Sequence, residues 1–101
     1  MTLVHRAYAR VKRGELDNVL EIAREGAKRF PESTVIRHYS ADIGQPRNTF
    51  VFEVEFADYA EYEEVWRAWT ALEETPELMD RWNALVEEMR HELWELHELP
   101  D

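Results

Sequence analysis

The stretch FVFEVEF, residues 50–56, alternates apolar side chains with glutamates and is followed at once by ADYAEYEEVWRAW. Alternation with a period of two is typical of a strand whose two faces meet different surroundings. The sequence therefore predicts a strand over residues 49–57. One of its faces carries three phenylalanines, and the other carries Glu53 and Glu55.

The residues before this strand predict two more strands and a helix. Residues 2–12 alternate as a first strand, and apolar residues then take helical spacing over residues 15–30. Residues 34–43 are rich in β-formers, and the turn-forming segment GQPRN follows them. Two strands joined by such a loop are typical of a hairpin.

The residues after this strand predict a second helix and a last strand. Asp58, with a glutamate three residues later, is typical of a capped helix N-terminus. We expect the helix to break near Thr75, which would cap a second segment. Apolar spacing continues this segment through Val86 and Met89. The fourth strand is therefore expected over residues 91–99, where HELWELHEL alternates again.

The predicted element order is β-α-β-β-α-β in one domain spanning residues 1–101. This order favours an α+β, ferredoxin-like fold with a four-stranded antiparallel sheet and both helices on one face. Right-handed crossovers give the strand order 4-1-3-2.

Composition excludes several classes of function. The chain has 101 residues and a net charge of −10, from 22 acidic and 12 basic residues. A protein that binds phosphate backbones needs a basic surface, so no nucleic-acid partner is expected. The chain has no cysteine, which excludes disulfides and thiolate metal sites. No signal peptide and no apolar run of ~20 residues is present, so we expect a cytoplasmic protein with no membrane partner.

One face of the predicted sheet mixes charged and apolar side chains. Arg6, Tyr8 and Arg10 share a face of the first strand, next to Glu53 and Glu55 of the third. Opposite charges on neighbouring strands attract, but apolar residues on the same face are typical of a covered surface. We therefore expect a homodimer that uses this face.

The opposite face is predicted to meet Trp66 and Trp69 of the second helix. Aromatic residues at this spacing are typical either of a packed core or of the wall of a small pocket. The candidates for a ligand pocket are His5, Arg37, Tyr39, Trp66 and Trp69, and each of them is also consistent with a purely structural role.

The remaining histidines suggest no defined chemistry. His91, Glu95 and His97 fall on one side of the predicted last strand, but their spacing matches no known metal motif. We therefore expect no metal site and no cofactor. No glycine-rich phosphate loop and no nucleophile elbow is present in the sequence.

The whole pattern resembles a known superfamily. A strand ending in RVKRG, the helix ELDNVLEIAREGAKRF, the hairpin YSADIGQPRNTFVFEVEF and the segments ADYAEYEEVWRAW and TPELMDRWNALVEEM together resemble dimeric α/β-barrel proteins. The resemblance is strongest to small bacterial NIPSNAP-type domains, and next to antibiotic-biosynthesis-monooxygenase-like domains. It implies two ferredoxin-like subunits packed sheet to sheet, with a pocket between sheet and helices.

The resemblance also bears on catalysis. Haem-degrading members of the superfamily use an Asn on the first strand with a Trp and a His on the second helix. Here the first strand has no Asn and the predicted helices have no His. Three functions stay open: a protein that binds a small apolar or aromatic ligand, a cofactor-free monooxygenase-like enzyme, and a structural or interaction domain without catalysis.

Overall fold

A computed structural model describes residues 2–41, 43–44 and 46–99 of the chain. Its elements follow one another as β1 (Thr2–Val11), α1 (Leu16–Ala27), β2 (Ile36–Ser40), β3 (Thr49–Phe56), α2 (Tyr59–Thr70), α3 (Thr75–Leu85) and β4 (Val86–Leu96). The predicted second strand, residues 34–43, includes position 42, and the predicted hairpin turn includes position 45; both positions lie outside the described residues. Within the described ranges, no helix has the length and apolar content needed to cross a bilayer.

The four strands form one antiparallel sheet in the order β2-β3-β1-β4. The predicted order is therefore confirmed, and so is the α+β, ferredoxin-like fold. β1 lies between β3 and β4, and it pairs with β3 from Leu3 opposite Phe56 to Arg10 opposite Thr49. This register places Phe50, Val54 and Phe56 on the helix side of the sheet, where they are buried.

The predicted start of the second helix is confirmed in detail. The Asp58 carboxylate accepts a hydrogen bond from the Glu61 backbone N–H at 2.9 Å. In return, the Glu61 carboxylate accepts one from the Ala57 backbone N–H at 3.1 Å. Side chains thus satisfy one N–H group of the first helical turn and the N–H group just before the N-cap.

The predicted break near Thr75 is present, but the proposed capping by Thr75 is wrong. The Thr75 hydroxyl donates a hydrogen bond to the Trp69 carbonyl oxygen at 2.7 Å, and Glu74 stands at the N-cap of α3. A carbonyl at a helix C-terminus has no partner within its helix. The buried Thr75 side chain therefore ties the start of α3 to the end of α2.

The predicted continuation of this helix through Val86 and Met89 is also wrong, because β4 already begins at Val86. The last two residues of β1 pair with Glu88 and Val86, so that Glu87 is an additional residue in β4. Such a bulge reverses the alternation of side chains along a strand. Val86 and Met89 can therefore both pack against the core although they are three residues apart.

The core consists of two clusters on the helix side of the sheet. The first contains Ala9, Val11, Val19, Ile22, Phe50, Leu78 and Trp82, and the second contains Leu3, Val54 and Phe56. Phe52 of β3 is only partly buried and packs against both clusters. The space between the clusters, above Phe52, is where the candidate site lies.

Candidate functional site

An apolar cavity of about 310 Å³ lies between the sheet and the helices. This volume falls within the range of small-molecule sites. The helices contribute Ile22, Ala23 and Gly26 from α1, Trp66 and Trp69 from α2, and Leu78, Met79 and Trp82 from α3. Three of the four tryptophans of the chain thus line one cavity.

One row of residues across the sheet forms the floor of the cavity. His38 of β2 pairs with Phe52 of β3, Phe52 with Ala7 of β1, and Ala7 with His91 of β4. Neighbouring strands lie about 4.8 Å apart, so the two histidines are roughly 14 Å apart at the backbone. The cavity therefore has one histidine at each edge of the sheet and an aromatic ring between them.

Trp69 forms a wall of the cavity next to Gly26 of α1. A Cβ atom added to Gly26 would lie 3.4 Å from Leu78 Cδ2 and 3.5 Å from Trp69 Cζ2. The Trp69 Nε1–H donates to the Gly26 carbonyl oxygen at 3.1 Å. This hydrogen bond fixes the indole against α1.

Trp66 forms the wall between Trp69 and the second core cluster. Its ring centroid lies 5.2 Å from that of Phe30, 5.7 Å from that of Trp69 and 5.2 Å from that of His5, all in edge-to-face geometry. The Trp66 Nε1 atom is buried and forms no hydrogen bond with any described residue. The indole is therefore positioned by ring packing.

His5 lies behind this wall and does not line the cavity itself. It is only 6% exposed, and its Nε2 atom is 3.2 Å from Nδ1 of His91. Its Nδ1 atom is buried without a hydrogen-bond partner among the described residues. Burial lowers the pKa of His5 to about 4, and the electrostatic influence of the neighbouring His91 ring contributes in the same direction. His5 is therefore neutral near pH 7.

His38 closes the other end of the row. Its ring lies nearly parallel to that of Phe50, with centroids 5.7 Å apart. Burial lowers the pKa of His38, and the nearby Arg24 guanidinium lowers it further. Both effects favour an uncharged imidazole at this edge of the cavity.

The structure separates the five predicted pocket residues. Trp66 and Trp69 line the cavity, and His5 supports it from behind. The predicted places of Arg37 and Tyr39 are wrong: both point away from the helices, because β2 pairs with β3 so that His38, between them, faces the cavity. Arg37 binds the Glu55 carboxylate at 3.0 Å, and Tyr39 donates to a carboxylate oxygen of Glu53 at 3.2 Å.

His38 and His91 are functional candidates that the sequence did not single out for the pocket. Ile36 and His38 share one face of β2, and Arg37 and Tyr39 share the other. The apolar Ile36 was the available signal that the face with His38 turns towards the helices. His91 was grouped with Glu95 and His97, whereas in the structure it contacts His5. His97 lies 3.5 Å from the Glu95 carboxylate instead. Within residues 2–41, 43–44 and 46–99, no group of three or more potential ligands could hold a metal ion.

The side of the sheet away from the helices, here called the outer face, carries an ion pair at its centre. Arg6 donates to one Glu53 carboxylate oxygen from Nε at 2.8 Å and lies 2.6 Å from it through Nη2. Tyr39 binds the other oxygen, and Glu53 is only 8% exposed. Paired, charge-assisted contacts of this kind compensate a buried carboxylate for its lost hydration.

Arg10 does not take part in this cluster. It pairs with Glu87 at 3.5 Å and with Glu88 at 3.1 Å, because the end of β1 lies next to the bulge of β4. Two aromatic side chains, Tyr8 and Trp94, lie on the same face as the central ion pair. The Arg90 guanidinium lies 4.2 Å from the ring centroid of Tyr8, and Trp94 is 52% exposed.

Comparison with known proteins places the chain in a family. No curated protein matches the sequence. An uncharacterised NIPSNAP domain protein from Burkholderia xenovorans is 18% identical with a TM-score of 0.81, over 98% of this chain and 99% of that chain. A NIPSNAP family protein from Agrobacterium tumefaciens is 15% identical with a TM-score of 0.81, over 97% and 95%. SnoaB, a cofactor-independent oxygenase from Streptomyces nogalater, is 17% identical with a TM-score of 0.64, over 97% and 94%.

At these identities the solved structures share a fold with the chain. The sequence itself gives the closer assignment, because the NIPSNAP family model matches residues 5–98. The chain therefore belongs to the NIPSNAP family.

Proposed function

We propose that the chain binds a flat apolar or aromatic small molecule in the cavity between sheet and helices. The observation that supports this function is the cavity of about 310 Å³, walled by three tryptophans. Ring contacts of this kind contribute about 0.5–1.5 kcal/mol each beyond the burial of apolar surface. The histidines at the two ends of the cavity floor supply the few polar groups that orient a ligand.

The charges around the cavity favour an uncharged ligand. His38 and His91 are the titratable side chains among the described lining residues, and the rest of the lining is apolar apart from two threonines. A charged ligand would lose its hydration there without gaining an ion pair. The net charge of −10 disfavours anions further.

Tryptophan fluorescence tests this proposal. Trp94→Phe removes the exposed tryptophan on the outer face and leaves the three that line the cavity. In that background we expect saturable quenching or a spectral shift with one member of a panel of quinones and polyketide-like aromatics. Ala23→Leu should abolish the response, because it places a larger side chain in the cavity.

Ala60→Leu is the matched control, because Ala60 is an exposed residue of α2 outside the cavity lining. Quenching that survives Ala23→Leu unchanged would contradict binding in this cavity. Dioxygen uptake, followed in the same samples without added metal or flavin, would indicate a cofactor-free monooxygenase-like enzyme. Absence of any response across the panel would favour a structural or interaction domain.

We also propose that the chain forms a homodimer through its outer face. That face carries the ion pair of Arg6 with the buried Glu53, the Tyr8 ring and the half-exposed Trp94 indole. Mixed apolar and paired polar surface is typical of protein interfaces. A second copy of the chain would cover the outer face, and Arg6 and Glu53 would stay paired with each other.

A further inference from the structure

We infer that His5 and His91 act as a pair in which His5 fixes the tautomer of His91, so that His91 offers its Nε2–H to an acceptor oxygen of the ligand. The inference rests on the proposed ligand-binding function and narrows its ligand class. The ligand would be an uncharged flat molecule with a carbonyl or similar oxygen at one end.

The contact between the two rings requires a single shared proton. His5 Nε2 and His91 Nδ1 lie 3.2 Å apart, and the ring planes differ by 7°. Two neutral imidazoles can make such a contact only if one nitrogen donates and the other accepts. The tautomers of the two residues are therefore coupled.

Two arrangements of protons satisfy this contact. In the first, His5 donates from Nε2, its buried Nδ1 is a bare lone pair, and the His91 proton is on Nε2. In the second, His91 donates from Nδ1, and His5 must carry its proton on the buried Nδ1. That nitrogen has no hydrogen-bond partner among the described residues.

The first arrangement is favoured for two reasons. A buried N–H without an acceptor is costly, and orphaned donors are rarer in proteins than incompletely satisfied acceptors. In addition, Nε2–H is the more stable tautomer of a neutral histidine side chain in water, and the first arrangement gives it to both residues. Burial keeps His5 in its neutral form, as both arrangements require.

The free nitrogen of His91 is available to a ligand. His91 lines the cavity and is exposed, and its Nε2 atom makes no hydrogen bond with any other described residue. Phe52 lies two strands away on the cavity floor, and Trp66 lies above the same end. A ring held by these aromatic side chains would place an oxygen at its edge next to His91.

The tautomer is measured directly by a long-range ¹H–¹⁵N spectrum of the imidazoles near pH 7. We expect His91 to show a protonated Nε2 and a bare Nδ1, and His91→Phe to identify its signals by their loss. In His5→Phe the His91 nitrogens should shift towards the averaged values of an unconstrained ring. A proton on His91 Nδ1 in the wild-type protein would overturn the inference, whether or not His5→Phe folds.

A matched pair of probes tests the consequence for binding. 1-Indanone and indane have the same two-ring skeleton, and only indanone carries a carbonyl oxygen. One net hydrogen bond corresponds to a preference of about 3- to 10-fold for indanone in the wild-type protein. His91→Phe should lose this preference or reverse it, because the carbonyl oxygen of indanone then lacks the His91 donor.

The outcomes separate this inference from the function on which it rests. Equal affinity for both probes in the wild-type protein would overturn the donor inference and leave ligand binding in the cavity intact. An unchanged preference for indanone in His91→Phe would overturn it as well. Failure of both probes to bind the wild-type protein would count against the proposed function, and the inference would fall with it.

Discussion

Burial of the His5 imidazole links folding to proton binding. Its pKa is about 4 in the folded chain and 6.5 in the unfolded chain. Between these values the unfolded chain binds more protons, so the free energy of unfolding falls as the pH falls. The contribution is fully present above pH 6.5 and is lost as the pH approaches 4.

We expect the wild-type protein to lose about 3 kcal/mol more stability than His5→Phe between pH 7 and pH 4, since each unit of pKa shift corresponds to about 1.4 kcal/mol. Urea denaturation at both pH values measures this difference. The difference reports on His5 together with its contact to His91, because His38 and the carboxylates are present in both proteins. Parallel pH profiles for the two proteins would show that His5 is not desolvated in the folded chain.

The capping interaction at the start of α2 gives a prediction about one element. Asp58→Ala removes the acceptor of the Glu61 N–H and should lower the free energy of unfolding by about 1 kcal/mol. Glu61→Gln keeps an acceptor oxygen for the Ala57 N–H and should cost less. Chemical denaturation of the two variants measures the effects. An equal or greater loss in Glu61→Gln would show that the charge near the helix start matters more than the hydrogen bonds.

The elements that were predicted correctly are those whose sequence pattern lies entirely within one strand or helix. The alternation in β3 and the Asp58–Glu61 spacing each determine a local structure, and the element order then restricts the sheet to few topologies. The start of β4 was missed because it depends on a bulge opposite the end of β1. Val86 and Met89 have helical spacing, and only pairing with another strand shows that both belong to a strand.

The candidate site was only partly predictable for a similar reason. Trp66 and Trp69 lie on an apolar helix stripe, so their direction follows from the sequence. β2 is five residues long and mostly exposed, and its two faces have similar composition. Which of Arg37 or His38 faces the helices depends on the register with β3. The contact of His5 with His91 joins residues 86 positions apart and has no local signal.

The proposed dimer gives a prediction about the assembly. Light scattering or sedimentation at micromolar concentration should give twice the mass of one chain, and the interface should bury more than about 1,000 Å². Tyr8→Ala removes an aromatic ring from β1, an inner strand of the sheet. We expect it to raise the dissociation constant of the dimer about tenfold or more. Tyr59→Ala, which changes an exposed tyrosine on α2, should leave the dimer unaffected. A wild-type protein that sediments as a single chain at high micromolar concentration would rule the dimer out.

The division of the second helix has a consequence for motion. Every residue of α2 keeps part of its surface exposed, whereas α3 buries Thr75, Leu78 and Trp82. Segments with little buried apolar surface open at a lower free energy than the whole molecule unfolds. Because Trp66 and Trp69 lie on α2, transient displacement of that helix alone would open the cavity while α3 and the sheet stay folded. A ligand in contact with these two indoles would make this displacement of α2 less frequent. Binding in the cavity would therefore make α2 more rigid.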